Sequence, residues 1–370
     1  MPRFWVLILA MPIMLLTASC TEKEPVRVGF LAALTGRYAD LGLAGRNGAL
    51  LAVEEVNRRG GLHGRKIELL VRDNGASADR AIKAVRDLGH AGIAVLIGPM
   101  LSQMATVIKP EIDRLRLVTI GPTIATEKLD GLDDWFLRIY PSTRQNAELF
   151  ADRLVKHEGL RRLSVFIDET NAAYTQAFYQ AFARAFTALG GELEQPVTYH
   201  SGSAVPFYRL AETINRQQAE GLLLLSGAMD SAMVLHQLRS RGYQKPAFAT
   251  EWTGTEDLLS YGGSAVEDLT FYNTIDRNSS SPAYLNFVQN YRARFGQEPG
   301  FASVHAYDAT LMALEGLNRS GPNPEQLKQA LLNLGPFPGL QATLRMTPTG
   351  DIERPLFYIR VENGRFRTLR

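Results

Sequence analysis

The chain has 370 residues, 45% hydrophobic and 21% charged, with Lys+Arg 40 against Asp+Glu 38 and a formal net charge of +2. That length exceeds what one hydrophobic core ordinarily fills, so two lobes are expected, and the balanced charge excludes an electrostatic case for nucleic acid as a partner. The single cysteine, Cys20, excludes an intramolecular disulfide, a Cys-rich zinc site and a thiol pair.

Arg3 precedes an apolar run from Phe4 to Leu16, and the small residues Thr17, Ala18 and Ser19 lead into Cys20. A transmembrane helix needs about 17–25 apolar residues. This run is shorter and Thr21-Glu22-Lys23-Glu24 follows it, so it reads as a cleaved secretory signal. The segment resembles a bacterial lipoprotein signal, with Thr17 where leucine is commonest. The resemblance implies a signal peptide over 1–19, an acylated Cys20 as mature N-terminus, a tether over 20–25 and a membrane-anchored, extracytoplasmic protein. The alternative is an ordinary cleaved signal with Cys20 coincidental.

From Val26 onward short β-rich runs alternate with amphipathic stretches, the pattern of a parallel sheet covered by helices. Strands are expected at Val26–Ala33, Lys66–Arg72, Ala94–Ile97 and Leu117–Ile120, with helices over Asn47–Arg59, from the Ser77 cap to about Leu88, and over Leu101–Leu115 despite Pro110. A second series starts near Pro141-Ser142-Thr143 with a helix to His157. It continues with strands Leu163–Ile167, Glu192–Tyr199, Leu222–Ser226, Ala247–Ala249 and Leu269–Asn273, separated by helices Tyr174–Leu189, Pro206–Gln218 and Ser231–Arg241. Helices Pro282–Phe295, Ser303–Arg319 and Pro324–Leu334 follow, then an expected hairpin of Gln341–Arg345 with Leu356–Val361 around Pro348-Thr349-Gly350-Asp351. The basic end from Arg365 to Arg370 reads as solvated.

These landmarks carry a resemblance: Leu34-Thr35-Gly36 followed by Gly42, Gly45 and Gly48; Val56-Asn57 with Gly60-Gly61-Leu62-His63-Gly64; Arg72-Asp73-Asn74; Ile97-Gly98-Pro99 with Ser102; Gly121-Pro122-Thr123; Arg138 to Thr143; and Glu251-Trp252 leading to Gly262-Gly263. In this order they resemble the branched-chain amino-acid-binding family of periplasmic binding proteins, receptor subunits of ABC importers. The resemblance implies an α/β fold of two doubly wound lobes joined by a three-segment hinge, with lobe 1 over 26–141 and 274–342 and lobe 2 over 142–273 and 343–370. It also implies capture of an amino acid or similar small polar metabolite, ABC permease subunits as partners, and no cofactor. A sensor feeding a signalling receptor would use the same ligand-driven closure.

A free amino acid carries both signs of charge, and burying them requires matched partners for each. Ser102 opens a helix, where free N–H groups favour an anion; the resemblance gives it the ligand carboxylate, and the bland reading is a helix cap. Glu251 follows a strand, where open α/β sheets bind ligands; it either neutralises an ammonium or is a solvated loop charge. By the resemblance Tyr174 closes over the ligand, with a core tyrosine as its rival, and Thr123 offers oxygens to the ammonium. Two positions depart from the family: its second hydroxyl falls at Ala125, with Thr126 a neighbouring substitute, and an expected aromatic is Ala228. Trp252 beside Glu251 either stacks on the ligand or packs against its lobe.

Catalysis is not expected: there is no Gly-x-Ser-x-Gly elbow, His-Glu-x-x-His pair or Walker loop, and none of the 6 histidines stands at metal-ligand spacing with another. His305 and Asp308, at i and i+3, read as a packed histidine and its neighbour rather than an acid–base pair.

Overall fold

The computed structural model describes residues 23–202 and 204–369, so the signal segment and Cys20 lie outside the described residues. The first series is β1 (Val26–Ala32), α1 (Ala39–Arg58), β2 (Ile67–Asp73), α2 (Ala78–His90), β3 (Val95–Ile97), α3 (Ser102–Leu115), β4 (Thr119–Gly121) and β5 (Phe136–Arg138). The second is α4 (Thr143–Lys156), β6 (Arg162–Asp168), α5 (Ala172–Ala188), β7 (Glu192–Leu193), β8 (Val197–Tyr199), α6 (Phe207–Arg216), β9 (Gly221–Leu225), α7 (Ala228–Arg239), β10 (Ala247–Ala249), α8 (Glu256–Gly262) and β11 (Thr270–Asn273). The chain ends with α9 (Pro282–Phe295), α10 (Phe301–Ser320), α11 (Pro324–Leu332), β12 (Phe337–Pro338), β13 (Thr343–Leu344), β14 (Phe357–Glu362) and β15 (Arg365–Leu369).

The first sheet is parallel in the order β2-β1-β3-β4-β5, with Val26 opposite Ile67 and Ala32 opposite Asp73. The second repeats this order in β7/β8-β6-β9-β10-β11 and adds antiparallel β14 and β15 beyond β11. In each sheet the order reverses beside its first strand, opening a crevice at the strand C-termini. The chain passes between the sheets three times: after β5, after β11 and before β14. In between, α10 packs on α1 and reaches β3 and β4 of the first sheet. One apolar core runs from the first sheet through Tyr38, Trp252 and Tyr174 to α5, while a second, including Phe166, Leu222, Leu224 and Leu235, fills the other face of the second sheet.

Several expectations change. Helix α1 begins eight residues before Asn47, running through Gly42, Gly45 and Gly48. Glycine disfavours helix in isolation, but a Cβ at Gly42 would stand 1.8 Å from the Ala33 carbonyl oxygen and one at Gly48 2.1 Å from that of Ser303. These glycines let α1 approach the loop after β1 and the start of α10. Replacing Gly48 with alanine is therefore expected to destabilise by about 1–3 kcal/mol, the scale of overpacking, despite alanine's better propensity; an unchanged melting temperature would show that the contact yields.

The stretch 192–199 is two short strands, β7 and β8, because Pro196 between them has no N–H for a ladder. Strand β5, only three residues long, carried no periodic signal. The expected hairpin is wrong. The 348–351 turn closes only a Met346–Ile352 bridge, and β13 pairs with β12. The hairpin partner of β14 is β15, across Asn363-Gly364 with φ of 52° and 67°, the left-handed pair that a tight hairpin turn requires. The basic end up to Leu369 is thus a sheet-edge strand, with Arg365 and Arg367 exposed to solvent, and not a loose tail.

Two buried arginines join the crossings. Arg138 binds Asp130 (2.7 Å) and the Asp351 carboxylate and donates to the Thr126 carbonyl (2.9 Å). Arg354 donates from Nε to the Ile139 carbonyl (2.8 Å) and pairs with Asp308 (3.1 Å).

Candidate functional site

The loop after β1 is anchored by Asp73, the last residue of β2, whose carboxylate accepts from Leu34 N–H (2.8 Å) and Thr35 Oγ1 (2.7 Å). Above the crevice between β1 and β3 stand Leu41, Met100, Leu101 and Ser102. From the second sheet, Asn171 and Tyr174 follow β6, and Glu251 and Trp252 follow β10 in a 3-10 turn. With Thr123, Tyr140 and Phe301 these residues line one cavity. Its volume is about 20 Å³, room for roughly one water molecule.

The sheets are clasped around it. Gln103 N–H donates to Asn171 Oδ1 (3.0 Å) and Ala173 N–H to Gln103 Oε1 (3.1 Å), so the starts of α3 and α5 cap one another across the cleft. Tyr38 donates to Asp168 (2.6 Å), Thr255 to Asp40 (2.5 Å), and Arg37 lies 3.3 Å from Asp230. Burial raises the Asp168 carboxyl against the opposing Tyr38 bond, and pushes Asp40 up to about 6.

Five of the residues singled out by sequence meet here. Ser102 Oγ accepts from Ala125 N–H (3.2 Å), leaving its own hydrogen to donate, and Thr123 Oγ1 donates to the Met100 carbonyl (2.6 Å). Glu251 is buried rather than solvated, and burial pushes its carboxyl from 4.5 up to about 7, although the Tyr174 and Tyr140 hydroxyls beside it oppose the rise. Neither hydroxyl makes a hydrogen bond of regular geometry. Trp252 packs between Tyr38 (5.5 Å between centroids) and Tyr174 (6.0 Å, edge-on) and lies over Gly227.

Ala125 and Ala228 are not among the residues lining the cavity. Ala125 serves Ser102 through its main chain, and Ala228 opens α7 inside the second core. Thr126 caps the turn at Glu127–Leu129 and does not replace the missing hydroxyl. His305 Nε2 meets Thr274 Oγ1 at 2.6 Å while Asp308 pairs with Arg354, so the two form no acid–base pair. Tyr140, Asn171 and Phe301 escaped the sequence reading; the only trace of Tyr140 was its place inside the flagged Arg138–Thr143 stretch.

No helix among the described residues is long and apolar enough to cross a membrane, and none of their His, Cys, Asp and Glu form a group of three able to hold a metal.

A relative from Brucella melitensis biotype 1, called Leu/Ile/Val-binding protein homolog 3, is 25% identical over 342 residues, covering 90% of each chain. The branched-chain amino acid transporter substrate binding protein LivJ of Streptococcus pneumoniae, in complex with isoleucine, superposes with a TM-score of 0.85 at 17% identity, over 94% of this chain and 99% of its own. A solute binding protein of an ABC transporter from R. palustris, in complex with benzoate, also gives 0.85, at 18% identity over 93% and 95%. The same architecture thus surrounds an amino acid in one neighbour and an aromatic acid in another, so ligand chemistry must be read from the cavity. The sequence profile of a family described as periplasmic binding protein matches residues 25–365, and the chain belongs to that family.

Proposed function

We propose that the protein is the extracytoplasmic solute-binding lipoprotein of an ABC importer, which binds an amino acid or similar small polar metabolite without chemistry. The observation that carries this reading is that Ser102, at a helix start on the first sheet, and Glu251, at a strand end of the second, border one shared cavity. The helix start and the Ser102 hydroxyl suit a carboxylate, and Glu251 suits an ammonium. Each lobe then satisfies one end of the ligand, which gives the closed state the differential affinity that closure requires. The names of the Brucella relative, with Leu/Ile/Val binding in it, and of the R. palustris neighbour, with ABC transporter in it, support the ligand class and the permease partner.

We divide the lobes at the crossings, with 26–141 and 274–342 in one and 142–273 and 343–370 in the other. Pairing of β13 with β12, and of Arg138 N–H with the Gly350 carbonyl (2.8 Å), favours moving the last boundary past residue 351. Anchoring through Cys20 rests on the lipoprotein-like signal; Cys20→Ser should move the protein from the membrane to the soluble fraction, and retention in the membrane would remove acylation.

Calorimetric titration with the twenty amino acids and a panel of acids and amines tests the ligand class. Ser102→Ala should weaken an amino acid by about 1.5–3 kcal/mol, the scale of a hydrogen bond to a charged group; unchanged affinity would take Ser102 out of the site.

A further inference from the structure

Tyr140 stands where the ligand cavity meets the hinge. It lies in the first crossing, is only 2% exposed, and borders the cavity together with Glu251. Its ring is held edge-on by His305 at 5.2 Å and tilted against Phe301 at 6.3 Å. Its hydroxyl faces Glu251 of the second sheet and Thr274 of the second crossing, yet makes no hydrogen bond of regular geometry with either. The Thr274 hydroxyl is already engaged by His305. From α5 the Tyr174 hydroxyl approaches Glu251 in the same unpaired state.

Buried hydroxyls are almost always satisfied, so two orphans beside one buried carboxyl mark the place of a missing partner. A primary ammonium fits, since its three N–H donors match one carboxylate oxygen and two phenol oxygens. The rest of the wall is polar at Ser102, Thr123 and Asn171 and apolar at Leu41, Met100, Leu101, Trp252, Phe301 and the Tyr140 ring, and these bulky groups leave a cavity of only about 20 Å³.

We infer that Tyr140 is a ligand-contacting, specificity-setting residue: its hydroxyl completes with Glu251 and Tyr174 a three-oxygen cradle for a primary ammonium, and its ring shortens the pocket so that amino acids with small side chains are preferred to leucine, isoleucine and valine. This rests on the amino-acid reading proposed above and adds the size class and a residue that reading does not use. Because Tyr140 sits in a crossing, filling the cradle also fixes the hinge segment in its closed position.

The test is calorimetric titration of glycine, alanine, serine, valine, leucine and isoleucine into the purified wild-type protein, Tyr140→Phe and Tyr140→Ala, with melting temperatures recorded alongside. The wild type should bind at least one of the three small amino acids about tenfold or more tighter than leucine. Tyr140→Phe keeps the ring and its packing; it should keep the rank order and the melting temperature while losing about 10–100-fold in affinity, the range for one hydrogen bond to a charged group. Tyr140→Ala should shift the preference toward the larger side chains. Wild-type affinity in Tyr140→Phe, an unaltered rank order in Tyr140→Ala, or a wild type that prefers leucine would each overturn the inference, and in all three cases the amino-acid reading would survive. A wild type that binds no amino acid and takes benzoate instead would overturn both.

Discussion

Arg354→Met is expected to cost about 3–5 kcal/mol of stability, the range for breaking one half of a buried ion pair. The Arg354 and Asp308 side chains are 2% and 1% exposed. The substitution would strand the Asp308 carboxylate, which also accepts from Leu340 N–H (3.0 Å), and remove the donor to the Ile139 carbonyl. Burial already raises the Asp308 carboxyl and the guanidinium opposes that rise. Without the guanidinium the native state holds the Asp308 proton more tightly than the unfolded chain, so the variant's stability should fall as pH rises and the deficit should shrink at acid pH. Adding Asp308→Asn removes the stranded charge while keeping an acceptor for Leu340, and should recover a large part of the loss. Urea unfolding across pH measures all of this. A deficit below about 1 kcal/mol at neutral pH would mean that the pair is not what holds the first and third crossings to α10.

Much of the alternation was legible because short β-rich runs and amphipathic stretches are local signals, and nearly every strand and helix of the first two series falls where periodicity places it. What failed depended on distant partners. The early start of α1 is invisible to propensity because glycine disfavours helix, and only the approach of Ala33 and Ser303 explains why glycine is needed there. The final hairpin was misplaced although Asn363-Gly364 carries the stronger chemical signal, since its arginine-rich flank reads as a tail. In the cavity, Ser102 and Glu251 were legible from a helix start and a strand end, Trp252 as the neighbour of Glu251, and Thr123 and Tyr174 through the family resemblance. Tyr140, Asn171 and Phe301 come from a crossing, a single 3-10 turn and the first residue of a late helix, places where nothing local marks a side chain as facing a ligand.

Three carboxyls are buried where the two walls meet: burial raises those of Asp40, Asp168 and Glu251 alike. Asp40 and Asp168 keep a hydroxyl partner from the opposite wall. Glu251 has its own backbone N–H and the two irregularly placed tyrosine hydroxyls, none of them a cation, so its charge is the one that a bound cation would neutralise.

Glu251→Gln is accordingly expected to weaken an amino-acid ligand by about 2–5 kcal/mol, the cost of leaving a buried ammonium without its counter-charge; that corresponds to a loss of roughly 30-fold to several thousand-fold. The pH dependence gives the sign an independent check. With its carboxyl pushed up from 4.5 to about 7, Glu251 favours the folded, ligand-free protein at low pH, and this contribution is lost as pH rises from 4.5 through about 7. An ammonium requires the ionised form, so affinity in the closed arrangement should fall as pH drops below about 7 and level off above it. Asp40 and Asp168 titrate in both proteins, so the difference between wild type and Glu251→Gln isolates this residue. The variant should bind weakly, with a flatter profile and greater ligand-free stability above pH 7. If wild-type affinity instead rises on acidification, Glu251 is acting as a protonated donor to an oxyanion. The ligand would then be an acid without an ammonium group, and the assignment of charges to the two walls would be reversed.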